Sequence, residues 1–305
     1  MTTGRFAPSP TGRLHVGNLR TALLAWLFAR SEGGSFLVRM EDLDRVQSSR
    51  DHEAAQLADL ASLGLDWDGP VVRQSDRFER YEAAIAKLET AGLTYPCYCT
   101  RREIRDAASA PHDGAVPDGA YPGTCRTLTS AQTALHQASG RPPALRLRAY
   151  VGRVTVEDEL LGEISAVVDD VVLRRNDGVP AYNLAVVVDD AAQGIDQVVR
   201  GDDLASSTPR QAHLADLLGV ARPRWAHVPL VLGPTGQRLA KRDGAVTLPE
   251  LADLGVSSAD VLQIMAVSLG LALPGERVGV EDLVERFHPA LVPVTAWVLD
   301  PRHTS

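Results

Sequence analysis

Lysine is almost missing from this chain: of 31 basic residues only Lys87 and Lys241 are lysine, and the others are arginine. The bias looks like GC-rich codon usage, and it makes each lysine conspicuous where a merely solvated cation is nearly always arginine. Cysteine is also sparse, with Cys97, Cys99 and Cys125 confined to one segment, which argues against a disulfide framework. The formal net charge of −8 excludes a global basic field but leaves room for a local basic stripe that could hold nucleic acid. No apolar run reaches the roughly 18 residues of a membrane span, and the N-terminus lacks the charged-then-apolar order of a signal peptide. The cytoplasm is therefore the expected compartment. There is no internal repeat, no long low-complexity tract, no G-x-G-x-x-G and no G-x-x-x-x-G-K-[ST], so neither a dinucleotide fold nor a P-loop is supported.

What is present is a chain of 305 residues, 45% apolar and 23% charged, enough to bury a sizeable core. At about 100 to 200 residues each, two or three domains are expected. Periodicity predicts a strand near residues 3–7, a Pro-Gly loop, a helix over about 17–31 through "LRTALLAWLFAR", and a buried strand at "GSFLVRMED". That succession is a βαβ unit and implies a parallel sheet. Residues 51–64 and 77–92 read as amphipathic helices, and a Cys-, Pro- and Gly-rich stretch up to about residue 126 reads as an insertion. "ALRLRAYV", "ISAVVDDVVLRR" and "YNLAVVVDD" read as strands, "QVVRGDDL" leads into the helix "TPRQAHLADLLG", and the last sixty or so residues are mostly helix-like, "SSADVLQIMAVSLG" most clearly.

The stretch "RFAPSPTGRLHVGN", residues 5–18, joins the first strand to the first helix. A strand running through a glycine-containing loop into a helix start is a phosphate-binding geometry, because helix N–H groups and the dipole favour anions and glycine admits a ligand close to the backbone. A Pro-rich loop with a helix-capping histidine is the plainer alternative. Cys97 and Cys99 as C-x-C, with Cys125, favour a structural zinc site, for which the cysteines leave a fourth ligand to be found.

"HVGN" (His15, Val16, Gly17, Asn18) resembles the HIGH motif of the class I aminoacyl-tRNA synthetases, and "RFAPSPTG" before it is similar to the glutamate-specific branch. "GQRLAKRDGA", which contains Lys241, resembles the second family motif, KMSKS. "VRMEDLD", "AYNLAVVVDD" and "VVRGDDL" between them also match, so the resemblance covers roughly residues 4–245. Two departures stand out: Asn18 replaces the motif's second histidine, and Ala240 replaces the serine before the lysine.

The resemblance implies an α/β fold: a Rossmann-like parallel-sheet catalytic domain with a zinc-containing insertion and a short helical C-terminal region. The chain then divides into 1–95 and 181–245 as the two halves of the catalytic domain, 96–180 as the insertion and 246–305 as the helical end. It also implies adenylate chemistry, in which the carboxylate of glutamate attacks the α-phosphate of ATP. That step needs positioning and cations rather than covalent catalysis. His15 and Lys241 would serve the phosphates, with Gly17 and Asn18 also at the ATP site and Mg²⁺ as the ATP counterion. Arg5 would hold the glutamate side chain, which suits the planar fork of arginine, with Ala7 and Ser9 on the same wall. Glu41 would hold the α-amino group, and Tyr182 and Arg200 would contact substrate. Tyr121 is the implied fourth zinc ligand, with His112 the more ordinary alternative.

About sixty residues follow the second motif, where a glutamyl-tRNA synthetase carries a large anticodon-binding region. With Leu43 in "EDLD", this resembles the paralogous enzymes that attach glutamate to queuosine in the anticodon loop of tRNA(Asp). The implied partners are ATP, L-glutamate and queuosine-containing tRNA(Asp), with no membrane and a monomeric enzyme. A short synthetase charging tRNA(Glu) and a catalytically silent RNA-binding paralogue are the competing readings. Arg101, Arg102, Arg222 and Arg224 are the candidates for holding RNA backbone.

Overall fold

The computed structural model describes residues 1–108, 121–237, 239 and 246–299; His112, Ala240 and Lys241 lie outside them. The first βαβ unit forms as its periodicity predicts, with β1 (Thr3–Phe6), α1 (Val16–Ser31) and β2 (Ser35–Met40). β1 and β2 pair in parallel from Thr3 opposite Ser35 to Phe6 opposite Val38. α1 is buried on nearly every face, as a helix apolar all round must be. Its return to β2 depends on two glycines: Gly33 has φ +64°, and a Cβ on Gly34 would meet the Thr2 carbonyl oxygen at 2.1 Å.

α2 (Arg50–Ser62), β3 (Val72–Arg73), α3 (Phe78–Thr90), β4 (Thr94–Cys97), α4 (Arg101–Ala108), α5 (Ser130–Ala138), β5 (Ala144–Leu147), β6 (Arg153–Asp158), β7 (Gly162–Val167) and β8 (Val172–Arg174) follow. Then come α6 (Tyr182–Ala192), β9 (Gln197–Gly201), α7 (Thr208–Leu218), β10 (Arg224–Val228) and β11 (Val231–Leu232). α8 (Leu248–Asp253), α9 (Ser258–Ser268), α10 (Val280–Arg286) and β12 (Trp297–Val298) end the described chain.

The main sheet has the order β3-β2-β1-β9-β10-β6-β7. It is parallel except for the β6–β7 hairpin. β1 lies between β2 and β9, so the chain order reverses at β1, and open α/β sheets place ligands at the carboxyl ends of strands flanking such a point. A smaller antiparallel sheet, β4-β5-β8, carries the cysteine-bearing segment. Residues 96–180 thus contribute strands to both sheets.

Two sequence expectations are corrected. "YNLAVVVDD" is the helix α6 rather than a strand: three valines favour a strand locally, but Leu184, Ala185 and Val187 pack into one apolar cluster with Tyr81 and Ile85 of α3 and Leu214 of α7. "ISAVVDDVVLRR" breaks into β7 and β8. The break falls at Asp169 and Asp170, whose carboxylates accept hydrogen bonds from other segments: Asp169 from Arg210 Nε (2.6 Å) and Tyr121 N (2.9 Å), and Asp170 from Tyr95 Oη (2.6 Å) and Arg126 Nη1 (2.7 Å).

Candidate active site

The carboxyl ends of β1, β2 and β9 open into a cavity of about 600 Å³. Arg5, Ala7, Ser9, His15, Gly17, Asn18, Glu41, Tyr182 and Arg200 all line it. Residues as far apart in sequence as Ser9 and Arg200 are brought together because β9 pairs with β1, Gln197 opposite Gly4. Of the residues assigned to glutamate or ATP from the sequence, Lys241 alone lies outside the described residues. The chain on either side of it is fixed to the same wall: Leu239 N donates to Val231 O (3.4 Å) and Val16 N to Val246 O (2.9 Å).

His15 is the N-cap of α1. Its Nδ1 accepts from Asn18 N at 3.3 Å, and Asn18 Oδ1 accepts from His15 N at 3.2 Å, a reciprocal capping box. The capping and cavity-lining readings of this histidine therefore hold together, because a neutral ring accepting at Nδ1 carries its proton on Nε2. Asn18, the first departure from the family motif, makes the cap. Gly17 makes room for the histidine itself, since a Cβ there would lie 2.9 Å from His15 Cε1.

Below the cavity floor, charges are stacked in a buried set. Arg5 Nε donates to Asp190 Oδ1 at 3.2 Å, and Arg39 Nη1 donates to the same oxygen at 2.7 Å and to Gln193 Oε1 at 2.9 Å. Arg39 Nη2 lies 3.6 Å from Glu41 Oε1. Burial raises the Asp190 carboxyl, but the two guanidiniums outweigh it and hold its pKa below the usual range. Glu41, hydrogen-bonded through its N–H to Pro8 O at 2.9 Å, is pushed up to about 6 by burial, against the pull of Arg39 and Arg5.

Arg200, 5% exposed, differs from Arg5. Its Nε donates to His227 Nε2 (3.0 Å), Nη1 to Gln211 Oε1 (2.8 Å), and Nη2 to Thr208 Oγ1 (2.9 Å) and Leu204 O (3.4 Å). Among the described residues none of these acceptors is a carboxylate. A buried cation held by neutral acceptors and lining a cavity is a site for an anion. Sequence reasoning missed Arg39, Asp190, His227 and its partner Asp158. The signal for two of them was there: Arg39 in "FLVRM" and His227 in "RWAHV" are polar residues inside apolar strand runs, which require buried partners.

The three cysteine sulfurs lie within 4.8 Å of one another. Tyr121 Oη stands among them, 3.3 Å from Cys97 Sγ and 3.6 Å from Cys99 Sγ, while Cys99 and Cys125 sulfurs are 3.5 Å apart. Zn–S bonds of about 2.3 Å and Zn–O bonds of about 2.0 Å give tetrahedral edges of roughly 3.5 to 3.8 Å, so the donor set fits such an ion. Burial, reinforced by neighbouring sulfurs, pushes the Cys99 thiol up to about 12, whereas at Cys97 burial is outweighed by hydrogen bonds from Tyr121, the Cys99 backbone and Arg146, which hold that thiol below its usual range.

A second cavity, about 650 Å³, shares Ser9, Glu41 and Tyr182 with the first and extends along Leu43, Tyr98, Arg101 and Arg175. Of the RNA candidates, Arg101 is on its wall and exposed. Arg222 is paired with Asp216, and Arg224 with Glu159 (3.2 Å) and Glu32 (3.3 Å), so their charges are already met.

A nucleotide-type parallel sheet with this ligand cavity at its switch point defines a class of protein, and sequence comparison gives the same class: the family of class I tRNA synthetases (E and Q), catalytic domain, matches residues 1–278, and the chain belongs to it. It is 62% identical to the Glutamyl-Q tRNA(Asp) synthetase of Nocardia farcinica over 97% of this chain and 92% of that protein. It is 41% identical to the Glutamate–tRNA ligase of Geotalea uraniireducens over 97% of this chain, but that match covers only 63% of the ligase. A crystal structure of a glutamate tRNA ligase from Elizabethkingia meningosepticum in complex with its amino acid superposes with a TM-score of 0.84 at 25% identity, over 99% of this chain and 68% of that one. The expected α/β synthetase fold is thereby borne out. Among the described residues no helix is long and apolar enough to cross a membrane.

Proposed function

We propose that the chain activates L-glutamate with ATP and transfers it to queuosine in the anticodon loop of tRNA(Asp). The observation that carries the activation step is Arg200, a buried guanidinium with only neutral acceptors on the wall of a cavity it shares with Arg5, Glu41 and Tyr182. Arg200 and Arg5 hold the carboxylates of glutamate, with Ala7 and Ser9 shaping the wall, and Glu41 takes the α-ammonium. His15, through Nε2, and Lys241 meet the phosphates, with Gly17 and Asn18 at the helix start and Mg²⁺ as the ATP counterion.

The free α-carboxylate oxygen attacks the α-phosphorus, pyrophosphate leaves, and the mixed anhydride remains in the cavity. A hydroxyl of queuosine then attacks its carbonyl carbon and AMP departs. The second cavity, meeting the first at Ser9, Glu41 and Tyr182, is the entry for that nucleoside, with Arg101 at its rim for phosphate. Cys97, Cys99, Cys125 and Tyr121 hold a structural zinc that fastens the insertion and leaves no open position for chemistry.

The similarity to the N. farcinica protein, which extends over most of both chains, supports the queuosine acceptor over a tRNA 3′ end. Transfer of labelled glutamate, with ATP and Mg²⁺, to queuosine-containing tRNA(Asp), to the same tRNA lacking queuosine and to tRNA(Glu) tests the reading. Label on the first alone is expected; label on tRNA(Glu) makes the chain a short tRNA(Glu) synthetase, and no pyrophosphate exchange makes it silent.

A further inference from the structure

Arg200 is oriented by a chain of buried groups that reaches away from the cavity. Its Nε donates to His227 Nε2 at 3.0 Å, and His227 Nδ1 lies 2.5 Å from Asp158 Oδ2, with both partners of that second contact fully buried. The Asp158 carboxylate is itself fixed, accepting from Leu160 N at 3.0 Å and Leu161 N at 2.9 Å. We propose that His227 is the positioning residue of the amino-acid site, a neutral imidazole that passes the order imposed by Asp158 on to Arg200; this rests on the reading of Arg200 as a ligand of a substrate carboxylate.

The hydrogen-bond pattern settles the tautomer. An ionised Asp158 can only accept, so the ring proton sits on Nδ1; Arg200 Nε–H can only donate, so Nε2 must offer its lone pair. The Thr208 hydroxyl, 3.2 Å from Nε2, accepts from Arg200 Nη2, which leaves the single Nε2 lone pair to the Arg200 Nε–H. The arrangement explains why the relay ends in an imidazole. A carboxylate placed directly against Arg200 would orient it equally well but cancel the charge that an anionic substrate needs, whereas a neutral acceptor orients without cancelling. The four bonds from Arg200 leave one Nη1 hydrogen for a ligand.

Protonation of the ring would set an Nε2–H against the Arg200 Nε–H, two donors face to face, and one must turn away. The charged groups facing the imidazole are Asp158 from β6, Arg200 from β9 and Asp202 from the turn after β9. Burial and Arg200 keep the ring below its usual pKa despite Asp158, so the relay is intact at neutral pH.

The test combines nitrogen NMR of the histidine rings in the whole protein with calorimetric titration of L-glutamate and, separately, ATP. In wild type, His227 Nε2 is expected to resonate as an unprotonated ring nitrogen. His227→Gln, whose carboxamide oxygen can stand in for Nε2, should bind glutamate within about threefold of wild type, while His227→Phe should bind it about tenfold or more weakly with ATP affinity unchanged. A protonated Nε2 in wild type overturns the proposal, and that readout needs no variant to fold. So does a folded His227→Phe that binds glutamate normally while Arg200→Gln does not. If Arg200→Gln itself binds glutamate as wild type does, it is the carboxylate reading of Arg200 that falls, and the proposal with it.

Discussion

Asp190 sits between Arg5 and Arg39, and the fold depends on its being ionised there. Removing one member of a buried ionic set strands the others, at a typical cost of 3 to 5 kcal/mol. Arg39→Leu is therefore expected to lower urea stability by about that amount, although Arg39 never reaches the cavity. Glu41 has the opposite sign. Its pKa is raised to about 6, so the folded state favours its protonated form, and the stability it contributes is present at acid pH and lost as pH rises through about 6. Glu41→Gln should melt at or above wild type at pH 7 to 8, with the difference vanishing below about pH 4. Glutamate binding should follow the carboxylate: in calorimetry, wild-type affinity falls as pH drops below about 6, and Glu41→Gln loses that part of the dependence. The cavity-lining positions of Arg5, His15 and Glu41 were legible because the family motifs mark the first strand, the loop and helix start after it, and the end of β2. Arg39, Asp190 and His227 were silent because a charge inside an apolar run says that a partner exists without saying where.

At the scale of elements, α6 shows how local preference was overruled. Read by residue type, "YNLAVVVDD" is a strand; folded, it is a helix whose Asp189 accepts from Arg77 Nε (2.5 Å) and Tyr81 Oη (2.7 Å) while its neighbour Asp190 serves Arg5 and Arg39. Nothing short of the packing between α3, α6 and α7 distinguishes the two. The clustering of the cysteine segment was legible, since C-x-C spacing with a distant third thiol suits a metal site, and the three sulfurs lie within 4.8 Å of one another. Its fourth ligand can be decided by metal analysis. Tyr121→Phe is expected to loosen bound zinc about tenfold or more and to lower amide protection in β4, whereas His112→Ala should leave the metal content at one per chain. Cys99→Ser should release zinc outright.

For the whole molecule, the parallel pairing of β1 with β2 follows from the βαβ reading, and the cavity falls at the carboxyl ends of the strands, where such a sheet places a ligand. The position of the β6–β7 hairpin in that sheet was not legible, because pairing between β6 and β10 joins segments separated by two α-helices and three strands. With a net charge of −8, tRNA must be held locally rather than by a general field. Arg101→Ala with Arg102→Ala is expected to reduce the slope of log affinity against log salt by up to about 2, whereas Arg222→Ala with Arg224→Ala should leave it unchanged because both are already ion-paired.

The pairing of Gly4 with Gln197 also bears on how the protein is made. β1 emerges from the ribosome early and finds β2 at once, but its other edge stays open until residue 197 has been synthesised. Through that interval the strand carrying Arg5 exposes unpaired N–H and C=O groups, and Arg5 itself lacks Asp190. The cavity is therefore completed late, and truncation before β9 should yield an aggregating chain rather than a weak enzyme.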